Sequence, residues 1–249
     1  MLNNVFKLGE SLFRKNFTLY KPLYELYKSI SDREEREFMK EIIRPGDCVL
    51  DIGANIGSYT KFFSKIVGEH GLVIAFEPDA TNFSKLTKLK FKYNNVQAHN
   101  LAVGNKNEKV KFYLSSEYNV DHRAYMPKDE KERSFIEVKM ITLDSFLTSS
   151  IREINFIKMD IQGFEYFALR GMHNLLMSNK NIKMILEFWP FSLKSSGSSA
   201  RELLASLEAM GFKLKLLSHV GSQSPSEVAL EYENDKSKYF NLYAFREQR

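Results

Sequence analysis

Acidic residues stand at or near the ends of several apolar runs in this chain, notably Asp51, Glu77, Asp160 and Glu187. A carboxylate at the end of a buried strand must find a partner or a ligand. The first introduces Asp51-Ile52-Gly53-Ala54-Asn55-Ile56-Gly57, where an apolar strand turns at two glycines into a helical pattern. Glycine tolerates positive φ there and lets a ligand approach the backbone, and the following helix points its free N–H groups at the same spot. Strand, turn and helix together predict a nucleotide crevice at the carboxyl end of a parallel sheet. The turn lacks the third glycine of the G-x-G-x-x-G fingerprint. Asp51 beside it would repel a pyrophosphate and attract an ammonium or sulfonium. Glu77 follows Gly57 by twenty positions, after Leu72-Val73-Ile74-Ala75-Phe76. An acid at that separation is placed to hydrogen-bond ribose hydroxyls. S-adenosylmethionine carries both cations and no phosphate, so Asp51, Gly53, Asn55, Gly57 and Glu77 are read as its site.

Four segments in one order resemble the FkbM-type methyltransferases. They are Asp51 to Gly57, Phe76-Glu77-Pro78-Asp79, Ala102-Val103-Gly104 and Ile157-Lys158-Met159-Asp160-Ile161-Gln162-Gly163-Phe164-Glu165. The resemblance runs from Pro45 to Trp189. It implies a Rossmann-like, class I methyltransferase fold: α/β, with a mostly parallel seven-stranded sheet and an antiparallel C-terminal hairpin. It also implies that Pro78 and Ala102 join the cofactor site and that Asp160 faces the transferring methyl. The family often carries glutamate where this chain has Gln162. Glutamine cannot take a proton, so Gln162 is expected to hydrogen-bond the substrate.

The chemistry then needs a proton acceptor if the acceptor is a hydroxyl. His122 has a suitable unperturbed pKa, and Asp160, Glu165 and Glu187 are the carboxylate candidates. The stretch Asp121-His122-Arg123-Ala124-Tyr125 resembles one that some family members carry between the same two strands. Arg123 is expected to grip an acidic group on the acceptor and Tyr125 to help bind it. Tyr59 and Trp189 are read first as aromatic packing. Asp79 is read as a helix N-cap.

The elements that must position these residues follow from the pattern. Residues 1–44 read as an N-terminal helical extension and residues 45–249 as the methyltransferase domain. From Phe13, the spacing Phe17, Tyr20, Tyr24, Tyr27 is helical, with Pro22 expected to break it. Lys7, Arg14, Lys15, Lys21 and Lys28 accompany that face, which is expected to pack on protein rather than on a membrane. Ser31-Asp32-Arg33-Glu34 reads as a capping box for a helix that enters the fold. Beyond the turn, a helix carries Phe62, Phe63, Ile66 and Val67, and another is predicted over Ala80 to Tyr93. Strands are predicted over 96–102, 110–114, 135–141, 154–159, 184–188, 212–217 and 239–245, with a helix over 200–210. The last two strands read as an edge hairpin joined by a long polar connector, residues 221–238.

Composition narrows the class. The chain has 249 residues, one cysteine and a net charge of +5. A lone cysteine excludes an internal disulfide, and no Cys/His cluster has metal-ligand spacing. No apolar run approaches a membrane span, and Met1 opens no secretory signal, so the expected location is cytoplasmic. The expected function is S-adenosylmethionine-dependent O-methylation of a sugar or other small metabolite. No nucleic-acid partner and no stable membrane insertion are expected, although a homo-oligomer through the N-terminal helices is compatible with the sequence. The alternative is a nucleic-acid methyltransferase, weakly favoured by the basic balance. The Asn/Asp/Ser-Pro-Pro-aromatic motif of amine-modifying enzymes is replaced here by Asp160-Ile161-Gln162-Gly163. A nicotinamide dehydrogenase is disfavoured by Asp51 and the missing glycine, and a non-catalytic module by the intact cofactor motif.

Overall fold

The computed structural model describes residues 16–115, 121–127, 133–147, 153–217 and 223–247. Phe13, Lys7, Arg14, Lys15 and Gly221 lie outside the described residues. The chain begins with helices α1 (Phe17–Ser31) and α2 (Arg33–Ile42). Pro22 does not break α1. As the sixth helical residue it lies past the free first turn, and the helix runs on without the bond an N–H at position 22 would make to the Thr18 carbonyl. The expected capping box is absent. Ser31 instead ends α1 and its hydroxyl donates to Asp32 (2.6 Å), which serves as the N-cap of α2.

Then come β1 (Cys48–Ile52), α3 (Ser58–Val67), β2 (Leu72–Phe76) and α4 (Ala80–Leu86). Helix α4 is shorter than predicted, giving way to a 3-10 turn over Thr87–Leu89. The strand predicted over 96–102 divides. β3 (Val96–His99) joins the main sheet, whereas β4 (Ala102–Val103) pairs with a second sheet. Between them Asn100 donates through Nδ2 to the carbonyls of Glu77 and Pro78, both at 2.9 Å, and turns the chain off the sheet edge. The second sheet is completed by β5 (Glu108–Tyr113) and β6 (Phe135–Ile141), in the order β4–β6–β5.

The remaining elements are α5 (Leu143–Phe146), β7 (Phe156–Met159), α6 (Glu165–Arg170), α7 (His173–Ser178), β8 (Lys183–Phe188), α8 (Pro190–Ser195), α9 (Ala200–Ala209), β9 (Lys213–Leu216), α10 (Pro225–Glu231) and β10 (Phe240–Phe245). The main sheet has seven strands in the order β3–β2–β1–β7–β8–β10–β9. Strand β10 runs antiparallel between β8 and β9, so the last pair is an inserted strand plus an edge strand. The connector is not merely polar loop. Ser224 and Glu227 form a capping box that starts α10 behind Pro225.

Strand alternation separates the two faces of the sheet. Leu50, Ile52, Ile74, Phe76, Ile157, Met159, Leu186 and Phe188 enter one large core with residues of α6, α7, α9 and α10. Val49, Val73, Phe156, Ile185 and Tyr243 face the other side, against Met39 of α2 and Phe63 and Val67 of α3. On that second face the row nearest the strand carboxyl ends is polar: Asp51 pairs in register with Lys158, and Glu187 with Asn241. No helix among the described residues is long and apolar enough to cross a membrane.

The end of helix α6 and the strand end of the second sheet meet in a close backbone contact. A Cβ on Gly171, just past α6, would lie 1.8 Å from the carbonyl oxygen of Gly104, just past β4. Nothing there can yield without moving main chain. Gly171→Ala is therefore expected to destabilise the protein by about 3 kcal/mol, the upper range for overpacking. Urea unfolding would measure it, and a loss under 0.5 kcal/mol would show that this contact can open to admit a methyl group.

Candidate active site

The glycine turn and the end of β7 touch. Gly53, Asn55 and Gly57 take positive φ (85°, 50° and 88°). A Cβ on Gly53 would sit 1.9 Å from the Asp160 carbonyl oxygen, so only glycine lets the turn lie against β7. The Asn55 N–H donates to Glu77 Oε2 (2.8 Å), and the Asp79 N–H donates to Glu77 Oε1 (2.9 Å). Glu77 is thus the brace of the turn as well as the strand-end acid expected from its spacing. Burial pushes its carboxyl up to about 8, the two amide bonds opposing the shift. Asp79 caps α4 as anticipated, accepting the Asn82 N–H at 2.8 Å.

Asp51 is turned differently from the expectation of a direct cofactor contact. Its carboxylate is buried and accepts the Thr60 hydroxyl at 2.5 Å, tying β1 to the first turns of α3. Burial raises it to about 6, against the Thr60 bond and the attraction of Lys158.

A second polar centre lies at the ends of β7 and β8. Gln162 Nε2 donates to Asp160 Oδ1 (2.9 Å) and to both oxygens of Glu187 (3.2 and 3.0 Å). Asp160 is the exposed member of this group, its side chain 42% accessible. Gln162 adopts φ +56°, an uncommon conformation for a residue other than glycine. It is pinned there from behind. The Tyr125 hydroxyl lies 3.0 Å from the Gln162 carbonyl and 2.6 Å from Ser192 Oγ, and Ser192 Oγ donates to that same carbonyl (2.8 Å). Glu165 is fully buried and accepts the N–H groups of Ile161 (3.1 Å) and Gly163 (3.3 Å) through Oε1, while its Oε2 has no partner among the described residues. Burial lifts Glu165 to about 7, and burial with the Asp160 and Glu165 charges lifts Glu187 well above the carboxylate range.

The loop over 121–125 divides by residue. Arg123 and Tyr125 face β8: the Arg123 guanidinium lies 5.0 Å over the Trp189 ring, bonds Asp121 Oδ1 (2.7 Å) and reaches the Tyr125 hydroxyl (3.3 Å). These bonds commit Arg123 to holding the loop, whereas the sequence suggested an acceptor ligand. His122 faces β5: its Nδ1 accepts the Ser115 N–H (3.0 Å) and its ring meets Phe112 edge-on. Ala102 is packed with Phe112, Val138 and Met140 in the second sheet's core. Pro78 follows Glu77, and its carbonyl accepts from Asn100.

Two features escaped the sequence reading. Lys158 is buried in the central strand, 3.7 Å from Glu35 Oε1 and 4.0 Å from Asp160 Oδ2. Burial alone would lower its pKa, but the Glu35, Asp160 and Glu187 carboxylates outweigh that and hold it raised. A lysine inside an apolar strand run was the available sign. The second is Tyr59, whose hydroxyl lies 2.8 Å from Glu35 Oε2 and 3.0 Å from Asp32 Oδ2. With these bonds α2 becomes part of the site's wall and not only an entry helix.

Comparison with known proteins agrees with this architecture. A methyltransferase from Beauveria bassiana, named Methyltransferase 1, is 25% identical over 144 residues, half of this chain and 57% of its own length. A ribosomal RNA large subunit methyltransferase E from Desulfatibacillum aliphaticivorans is 37% identical over 73 residues, 28% of this chain and 35% of its own. The chain therefore spans only part of these relatives. Among solved structures, an rRNA methylase from Streptococcus thermophilus superposes with a TM-score of 0.50 at 12% identity, covering 86% of this chain and 95% of that one. That likeness concerns the fold. The methyltransferase FkbM domain matches residues 51–214, from the acid before the glycine turn to β9, and the chain belongs to that family.

Proposed function

We propose that this chain transfers a methyl group from S-adenosylmethionine to a hydroxyl of a sugar or other small metabolite. The observation that carries the reading is the contact between the glycine turn and the Asp160–Gln162–Glu187 cluster, which puts a nucleotide crevice beside a set of proton-accepting groups. The crevice fits that cofactor. The turn lies directly against the end of β7 because Gly53 has no Cβ, and the carboxylates of Asp51 and Asp160 beside it attract cations and repel phosphates. Glu77 is the group to hold ribose hydroxyls, with Gly53, Asn55, Gly57 and Pro78 beside it. Ala102 is the weaker part of that set, given its place in the second sheet.

When bound, the cofactor supplies a methyl already activated by its sulfonium. The chain's own work is then alignment, exclusion of water and proton removal. Asp160 is the exposed carboxylate at the transfer point and would orient the acceptor hydroxyl. Glu187, hydrogen-bonded to Gln162 beside Asp160, is the second candidate proton acceptor. Gln162 holds both in place. Glu165, sealed behind the Gln162 turn, supports the backbone there. Tyr125 and Arg123 act through that same turn. His122, directed to β5, is assigned to the loop and not to the chemistry.

A second reading, ribosomal RNA as the acceptor, is favoured by the name of one relative and by the net charge of +5. Incubation with S-adenosylmethionine and either a metabolite extract or total RNA separates the two by where the methyl appears. Label in RNA alone would replace the first reading.

Asp160→Asn and Glu187→Gln should each lower turnover by roughly 100-fold or more, the range for losing general-base chemistry. His122→Ala should keep turnover within about threefold, because its ring contacts lie on β5. The reverse ranking would return the base to His122.

Glu77 makes a separate pH prediction for the cofactor-free protein. Its folded pKa of about 8 lies above the ordinary 4.5, so the neutral form is preferred in the fold. Below both values the group costs nothing. As pH rises through this window the native state must give up its proton or bear a buried charge, and stability falls. Between about pH 5 and pH 8 the loss should be on the order of 3 kcal/mol. Glu77→Gln should flatten that slope in urea titrations. Equal slopes would mean that Glu77 titrates normally.

A further inference from the structure

Helix α1 lies outside the matched family domain, yet it packs on the glycine turn. At its first turn the Phe17 ring lies 4.7 Å from the Lys85 ammonium of α4. One turn on, Tyr20 packs against Ile56, a residue of the glycine turn itself, with Phe17 and Tyr24 against the pair. Tyr20 and Tyr24 stack at 5.3 Å. Further along, Glu25 pairs with Lys61 of α3 (2.6 Å) and Lys28 with Asp32 (2.6 Å). The helix is thus fastened at α4, at the turn and at α3.

Its orientation inverts the usual rule. An amphipathic helix buries its aliphatic face. Here Leu19, Leu23, Leu26 and Ile30 are 58% to 68% exposed, while Tyr20 is 8% exposed. The face turned to the domain is the tyrosine face, apolar in its rings and hydrogen-bonding at its tips. Such a face suits the roof of a ligand chamber better than the cover of a dry core. Tyr24 is half-buried and stacks on Tyr20, and desolvation with the Asp160 and Asp32 carboxylates disfavours its phenolate, so its hydroxyl keeps its proton.

We propose that α1 is a wall of the reaction chamber, with Tyr20 and the stacked Tyr24 closing over the glycine turn. The proposal rests on the cofactor reading above. It makes the helix a binding element for an S-adenosyl ligand, one that must lift for the ligand to leave. The ring of Tyr20 on Ile56 and the Glu25–Lys61 ion pair are then what slow the departure.

The test uses the full chain and S-adenosylhomocysteine as the probe. Hydrogen exchange should show added protection over residues 51–57 and, together with it, over 17–31. Tyr20→Ala and Glu25→Ala, checked for an unchanged fold by circular dichroism, should each speed dissociation of the probe at least fivefold in stopped-flow. Protection over 51–57 without any over 17–31 overturns the proposal and leaves the cofactor reading standing. So do dissociation rates within twofold of the parent in both variants. Absence of protection everywhere sinks the cofactor reading first and the proposal with it.

Discussion

The buried ammonium of Lys158 is the constraint around which the rest of the site is arranged. A lone charge in a central strand would be prohibitively unfavourable, and the fold answers it from three sides. Glu35 comes from α2, Asp160 from the end of the same strand, and the Tyr59 ring lies 5.2 Å from the ammonium. Glu35 is held by Tyr59 and by Asn241 of β10 (3.1 Å), so neutralising one lysine brings α2, α3, β7 and β10 into a single network. Arg36, one residue on, extends the same docking by donating to Ser58 (2.9 Å). Removing a partner from such a network leaves an uncompensated buried charge, typically costing about 3 to 5 kcal/mol. The N-terminal helices are therefore bound into the catalytic domain and are not an appendage.

The same row of the sheet explains why the second sheet exists where it does. Gln162 must be held at positive φ to reach between Asp160 and Glu187. Local sequence does not enforce that conformation, so it is imposed from outside, by Ser192 at the start of α8 and by Tyr125. Tyr125 in turn is carried on a loop anchored to β5 through the Tyr113–Arg123 bridge. Asp121, clamped by Arg123 and Arg133, fixes the loop's other side. The small sheet acts as a bracket for one strained residue at the chemistry.

This division decides what could be read in advance. The glycine turn, Glu77 and the strand-ending Asp160 were legible because each rests on chemistry local to a few residues. The apolar runs of β1 and β7 were legible as buried strands for the same reason. The bracket was not. Nothing in Asp121 to Tyr125 says that Arg123 and Tyr125 point toward β8 while His122 points to β5; the pairing of Arg123 with Tyr113 sets that alternation. Nor does the run Phe212 to Phe245 say that its last strand will insert beside β8, since that choice depends on Leu242 and Ala244 joining the large core. The tyrosine spacing of α1 was visible, but its inward direction follows from what lies beneath it.

Gln162 shows how charge balance fixes one residue that the family resemblance left open. Asp160, Glu165 and Glu187 already crowd the ends of β7 and β8, each raising the cost of ionising another. A glutamate at 162 would face Asp160 and Glu187 with no hydrogen to donate unless it took a proton itself. The amide avoids that conflict. Its nitrogen donates to Asp160 and Glu187 at once, which ties the two strand ends together. With both amide hydrogens directed at carboxylates, the amide oxygen is the group left to accept from a ligand. Glutamine at this position thus lowers the repulsion within the cluster while holding its two strand ends together.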